Sequence, residues 1–174
     1  MPILKTPRAQ RNNPFYMDQL INNMVNARNI VFKKGYGIIG DQVESIICSF
    51  RMVSNAYQKM NKFEVHYMEL IVEMDKELND VKAVADQMGN YFFDQRFQSF
   101  ITVIAERDFY LIAIVVNSVA FIEGPLFHDN NYNYMMILEF LKRITPYDWN
   151  VKASSCTFFD SKVGEGNYVH GYYR

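Results

Sequence analysis

The sequence predicts an α+β fold, in which an antiparallel-rich sheet carries helices mainly on one face. Apolar residues recur with helical spacing in some windows and alternate with polar residues in others, and the two kinds of window interleave along the chain. The chain has 174 residues, of which 49% are hydrophobic and 16% aromatic, which is enough to bury the core of one folded domain.

The N-terminal part predicts an arm followed by a short helix. Three prolines and several basic side chains fall within residues 1–16, so we expect a basic irregular arm there and a single domain over residues 17–174. A helix is expected from Met17, with its apolar side chains facing inward. Residues 30–32 predict an extended segment that leads into a glycine-containing turn.

The next part of the chain alternates between helical and strand periods. Helical spacing begins near Asp41, which is followed by Glu44 in an arrangement typical of a helix N-terminus. Residues 65–74 alternate, which predicts a strand with His66 and Met68 on one face and the acidic residues on the other. Helical spacing then returns over residues 78–92.

The clearest β signal is a pair of apolar runs, residues 97–105 and 109–122, joined by the polar residues 106–108. This pattern predicts a tight antiparallel hairpin. The second run is apolar at successive positions, so it is expected to be a central strand covered on both faces.

The C-terminal part predicts one more helix and a hairpin. Residues 129–131 offer capping side chains for a helix that Pro146 should end. Residues 151–159 and 168–172, separated by a turn at residues 164–167, predict a C-terminal hairpin.

Composition limits the class of protein. No apolar stretch reaches the roughly 20 residues that span a bilayer. The N-terminus lacks the apolar core of a secretory signal, so we expect a cytoplasmic protein with no membrane partner. Two cysteines, Cys48 and Cys156, make neither a disulfide framework nor a metal cluster, and both are expected to be reduced and structural. No cofactor is expected.

The charge is unevenly distributed along the chain. The formal net charge of −1 is unfavourable for gripping a phosphate backbone. The first 40 residues, however, carry six basic residues against one acidic residue, a local balance of +5, so the remainder sums to −6. A basic leading segment is typical either of a nucleic-acid-binding arm or of a solvated terminus. The basic residues of this segment are Lys5, Arg8, Arg11, Arg28, Lys33 and Lys34.

A long apolar run ends at Asn117 and is followed, after a valine-containing stretch, by Gly124. It resembles the metal-binding strand of the relaxases that mobilise plasmids and conjugative elements. In that family, two histidines one residue apart precede three apolar residues and the asparagine. Leu111 and Ala113 stand at those two positions here, and Ile104 stands where a third histidine is expected.

Two earlier segments extend the resemblance, which covers about residues 17–145. Residues 20–29 are similar to the family's opening helix, where a tyrosine attacks DNA and becomes covalently attached. Asn23, or Met24 under a one-residue slip, stands in its place and cannot act as that nucleophile. Residues 63–70 are similar to a strand that begins near a histidine, which His66 matches. The resemblance implies a relaxase-like (HUH-type) sandwich.

The substitutions imply a catalytically inactive member of this family. Side chains two residues apart on a strand face the same way, so a His-x-His pair presents two ligands to one metal, which polarises the scissile phosphate. Without those ligands we expect no metal site of this kind. The leading hypothesis is a DNA-binding accessory or regulator of mobilisation, acting on single-stranded or origin DNA.

Two alternatives remain open from the sequence. One is a protein-interaction module that binds another mobilisation protein or itself through a formerly DNA-facing surface, now apolar at Leu111 and Ala113. The other is an active nuclease with a rebuilt site. The candidates for such a site are Tyr16, His66, Glu106 and Asp108. Each also has a structural explanation, since a histidine on an apolar strand is commonly a core residue and acidic residues are common in turns.

Overall fold

Six strands and four helices alternate in the part of the chain that the computed structural model describes, namely residues 1–7, 15–57, 67–78, 80–122 and 131–154. In chain order the elements are β1 (Ile3–Pro7), α1 (Tyr16–Val25), β2 (Ile30–Tyr36), α2 (Val43–Ala56), β3 (Tyr67–Asp75), α3 (Val81–Asp94), β4 (Ser99–Ala105), β5 (Phe109–Asn117), α4 (Asn131–Ile144) and β6 (Asn150–Ser154).

The strands form one mixed sheet with the order β2-β4-β5-β3-β1-β6. Only the β1–β6 pair is parallel, and the other neighbouring pairs are antiparallel. The predicted α+β class and antiparallel-rich sheet are therefore confirmed. The predicted hairpin is also present, because β4 and β5 pair from Ala105 opposite Tyr110 to Ser99 opposite Val116.

Helices cover both faces of the sheet, which corrects the prediction that they lie mainly on one face. On the first face, α1 and α2 pack on a core that includes Leu20, Phe50, Ile104, Leu111 and Ala113. On the second face, α3 and α4 pack on a core that includes Val84, Met88, Ile112, Ile114 and Leu141. The physical reason is that the central strands are apolar on both sides, so each side must be removed from water.

The N-terminal residues form a strand inside the sheet, so the prediction of an irregular arm is wrong for residues 3–7. β1 pairs with β3 on one side and β6 on the other, and Leu4 is fully buried. Pro2 precedes this strand and Pro7 is its last residue, so the prolines lie at its ends and do not interrupt the five-residue strand Ile3–Pro7. Helix α1 begins at Tyr16, one residue before the predicted start.

The structure confirms one further predicted element and corrects the start of another. Strand β3 places Met68, Leu70, Val72 and Met74 in one core, as the alternation predicts. Helix α2 begins at Val43, and the backbone N–H of Gln42 donates to Ser45 Oγ at 3.1 Å, so the predicted cap at Asp41 is wrong. The final residues of the predicted C-terminal hairpin, 155–174, lie outside the described ranges.

Cys48 is a free, exposed side chain, which corrects the prediction of a structural cysteine. It lines an open groove of about 390 Å³ beside Arg51 and Met52 on the outer side of α2. The apolar residues of α2 extend around more of the helix than the side that is buried. Ile46 and Phe50 lie on the buried side, and Cys48 lies outside it. Cys156 lies outside the described residues.

Edge strand β2 is fastened to α3 by an aromatic and polar contact. The Tyr36 hydroxyl and the Lys34 ammonium both donate to Asp86 Oδ1 at 2.7 Å. The hydrogen bond from Lys34 is the main cause that lowers the pKa of Asp86, while burial and the Asp86 contact raise the pKa of Tyr36. The tyrosine therefore remains a protonated donor, and its ring lies directly over Gly89.

Replacing Gly89 with alanine should destabilise the fold, although glycine-to-alanine changes within helices usually stabilise by up to about 1 kcal/mol. A Cβ atom there would overlap the Tyr36 ring. We expect the free energy of unfolding in urea to fall by about 1–3 kcal/mol, as overpacked cores do. Gln87→Ala, at an exposed position of the same helix, is the matched control and should leave it nearly unchanged. A stabilised Gly89→Ala variant would contradict this packing.

Candidate functional site

The three positions at which the relaxase pattern expects histidines lie on one face of the sheet. Ile104, Leu111 and Ala113 all belong to the core beneath α1 and α2, and none is more than 1% exposed. The expectation that Leu111 and Ala113 present an apolar surface to a partner is therefore wrong. Two helices occupy the space in front of these residues.

The two positions that could correspond to the nucleophilic tyrosine, Asn23 and Met24, both lie on α1. Asn23 is half-buried, and Met24 is buried against the sheet. The hydroxyl of Thr102 on β4 donates to the backbone carbonyl of Met24 at 3.1 Å. This contact fixes the end of α1 over the central strands.

Tyr16, a candidate for a rebuilt site, is engaged in the core. Its hydroxyl donates to Glu69 Oε2 at 2.9 Å, and its ring stacks on that of Tyr67 with 5.7 Å between the centroids. Tyr16 and Glu69 are both buried. Sequence alternation places Glu69 opposite the Met68 face, but nothing in the sequence indicates that α1 covers that second face too.

The acidic candidates lie in the β4–β5 turn, far from Tyr16. The backbone N–H of Glu106 donates to the Phe109 carbonyl at 3.0 Å and closes the turn, while Asp108 is exposed. Glu69 pairs opposite Val115, six residues along β5 from Phe109, a separation of about 20 Å at strand rise. Tyr16 and the acidic pair thus do not form one site, and His66 lies outside the described residues.

No metal centre is evident within the described ranges. No group of three or more His, Cys, Asp or Glu side chains there is arranged to hold a metal ion. No helix in the same part of the chain combines the length and apolar character needed to cross a membrane.

The basic residues of the first 40 positions do not gather on one surface. Lys5 is partly buried in an ion pair with Glu73, and Lys34 is paired with Asp86. Arg28, two residues before β2, and Lys33, in the middle of β2, are both exposed. Three strands separate β2 from β1, so Lys5 is about 19 Å away from that edge. Arg8 and Arg11 lie outside the described residues.

Asn117 is the centre of a buried polar network. Its Nδ2 donates to the Phe50 carbonyl at 3.1 Å and to Gln98 Oε1 at 2.8 Å, and its Oδ1 accepts from the Val119 N–H at 3.1 Å. Gln98 Nε2 in turn donates to the carbonyl of Gly37 at 2.8 Å. The network joins α2, the end of β5, the residue before β4 and the turn after β2.

A surface that we call the sheet-end patch borders this network at Gly37. It consists of the exposed Phe93, Arg96 and Ile122 and the half-buried Phe121. The Phe93 and Phe121 ring centroids are 5.5 Å apart, and the Phe121 N–H donates to the Arg96 carbonyl at 2.8 Å. Phe93 is 38% and Ile122 46% exposed. Sequence periodicity did not identify this surface, since its residues come from the end of one helix and a loop after β5.

Arg96 holds an unusual backbone conformation in this patch. Its φ is +72°, in the left-handed region. The N–H groups of Arg96 and Phe97 donate to the carbonyls of Phe93 and Phe92, both at 2.9 Å, which is the Schellman arrangement that ends many helices. Glycine is strongly preferred at the position that Arg96 occupies.

No family model, curated protein or solved structure matches this chain.

Replacing Asn117 with alanine should cost about 2–4 kcal/mol of unfolding free energy, because several buried groups lose their partner together. Ser99 is the matched control: it is fully buried one strand away, and its Oγ has no hydrogen-bond partner among the described residues. Ser99→Ala should leave stability unchanged or raise it by up to about 1 kcal/mol. Urea unfolding of both variants measures the difference, and equal losses would exclude the assigned network.

Proposed function

We propose that this chain is a non-enzymatic protein-interaction domain that binds a protein partner through the sheet-end patch. The observation that carries the proposal is Arg96, held at φ +72° beside the exposed side chains of Phe93 and Ile122. A left-handed conformation costs an L-residue about 1–2 kcal/mol, and such outliers cluster at functional sites.

The chemistry of the patch suits recognition of a protein. Arginine and aromatic residues supply much of the binding energy in protein interfaces. The Arg96 side chain is exposed and forms no ion pair with another described residue. The Asn117 network holds Gly37 and Gln98, which border Phe93 of the patch, and a fixed border lowers the conformational entropy lost on binding.

The covered first face of the sheet supports a non-enzymatic role. The positions that would hold catalytic metal in a relaxase are apolar and lie under α1 and α2. Tyr16 is buried against Glu69, so its hydroxyl is not available to a DNA phosphate.

Arg96→Gly should separate stability from binding, because the two effects have opposite signs. Relief of the left-handed strain should raise the free energy of unfolding by about 1 kcal/mol. Loss of the guanidinium should weaken partner binding by about tenfold or more. Phe93→Lys should weaken binding to a similar degree, and Gln87→Lys on the exposed side of α3 should not.

The measurement starts with chemical cross-linking and mass spectrometry of the wild-type chain in extracts of its source cells, followed by calorimetric titration with the purified partner. Partner binding that survives both patch variants at wild-type affinity would exclude this surface as the binding site.

A second candidate function is a catalytically inactive, relaxase-like accessory or regulator of mobilisation that binds single-stranded or origin DNA. The likeness of residues 17–145 to relaxases supports it. So does the exposure of Arg28 and Lys33 on one edge of the sheet, because exposed cations provide the electrostatic part of DNA binding.

For this candidate, fluorescence anisotropy with labelled single- and double-stranded DNA should show binding that weakens with salt and is indifferent to Mn²⁺. The Arg28→Glu, Lys33→Glu double variant should reduce the affinity by about tenfold or more at low salt. The Lys82→Glu, Lys142→Glu double variant, at exposed positions on α3 and α4, makes the same change in net charge and should have a smaller effect. Absence of binding by the wild-type protein at low salt would reject the candidate.

A further inference from the structure

We propose that two copies of this chain associate through the solvent-facing side of α4. Four side chains define this surface, which we call the α4 outer stripe: Tyr132, Met136, Glu139 and Arg143. All four are exposed, with Tyr132 at 70% and Met136 at 46%. Their spacing of four, three and four residues places them on one line along the helix.

The outer stripe is more apolar than a solvated helix face. The opposite side of α4 already buries Ile137, Leu138 and Leu141 in the core, and a surface helix normally carries polar residues on its other side. Met135 adds a third large apolar side chain, 52% exposed, beside Tyr132 and Met136. Exposed apolar surface of this kind marks interaction sites, and the spacing of the stripe is that of the seam between two paired helices.

The stripe is complementary to itself, which is why we assign a second copy as its occupant. In a two-fold contact, residue i of one copy meets residue j of the other, and j meets i. Tyr132 and Arg143 lie at opposite ends of the stripe, 11 residues or about 16 Å apart. Antiparallel pairing of two stripes therefore brings each Tyr132 ring to the Arg143 guanidinium of the other copy, a favourable cation–π arrangement.

The remaining positions of the stripe fit the same pairing. Met136 of each copy meets Glu139 of the other, where the methylene groups of the glutamate offer apolar contact. The Glu139 carboxylate is paired with Lys142 of its own chain at 3.0 Å, which reduces repulsion between the two glutamates near the two-fold axis. The Arg143 guanidinium lies 5.7 Å from the centroid of the Phe140 ring. The Arg143 side chain is nevertheless exposed, so a second copy can also contact it.

The length of α4 limits the area that two copies can bury against each other, and therefore the affinity of the dimer. A helix of 14 residues is about 21 Å long, so a single helix pair buries less surface than a standard stable interface. We therefore expect a weak, concentration-dependent dimer. None of its residues belongs to the sheet-end patch, so it stands apart from the proposed partner site.

Sedimentation equilibrium of the full chain tests the proposal. The apparent mass should rise with concentration from 20.5 kDa toward twice that value. Tyr132→Lys and Arg143→Glu should each weaken association by about tenfold. The double variant should regain it, because the introduced lysine then faces the introduced glutamate at both ends of the contact. Lys82→Glu, at an exposed position of α3 outside the stripe, should behave as the wild type.

Two outcomes would overturn the proposal. One is a wild-type mass that stays at 20.5 kDa at the highest soluble concentration. The other is a wild-type dimer whose association is not restored in the double variant, since that would place the contact elsewhere or in another orientation. Circular dichroism on each variant confirms that a loss of association is not a loss of folding.

Discussion

The rest of the structure depends on one constraint, the double-sided apolar character of the β4–β5 hairpin. Ile112 and Ile114 project toward α3 and α4, while Leu111 and Ala113 project toward α1 and α2. Burying each large side chain is worth about 1.5–3 kcal/mol, so neither side can be left to water. Four helices consequently cover both faces, and in the described part of the chain the surfaces available to other molecules lie at the ends and edges of the sheet and on the outer sides of helices.

The same constraint explains how polar side chains survive inside the first core. Glu69 and Thr102 are buried among apolar residues, and each is satisfied by α1: Glu69 by the Tyr16 hydroxyl and Thr102 by the Met24 carbonyl. A polar group left without a hydrogen-bond partner there would lower the free energy of unfolding by about 1–3 kcal/mol. Helix α1 is therefore held on the first face by two polar contacts as well as by packing.

Much of the fold follows from sequence periodicity, whereas pairings distant in sequence do not. The alternation at Met68 and Leu70 and the turn at residues 106–108 predict β3 and the central hairpin correctly. The place of β1 does not follow from the sequence, because a five-residue segment between prolines is too short to show a strand period. Its parallel partner β6 also lies about 150 residues away, and no local pattern indicates that pairing. Coverage of both faces was missed for a related reason: β5 indicates that it is covered on each side, but no local pattern assigns particular helices to particular faces.

Two side chains that break local rules, Asn117 and Arg96, show how structural and functional signals can be separated. Asn117 is a polar residue at the end of an apolar strand, yet its hydrogen bonds tie α2 and the segments before β4 and after β5 together, so the fold itself accounts for it. Arg96 occupies a backbone position that favours glycine. Among the described residues, its side chain forms no ion pair that offsets the strain. The backbone of Arg96 ends α3 and accepts the Phe121 N–H, but glycine would do the same without strain, so the fold alone does not account for the arginine side chain.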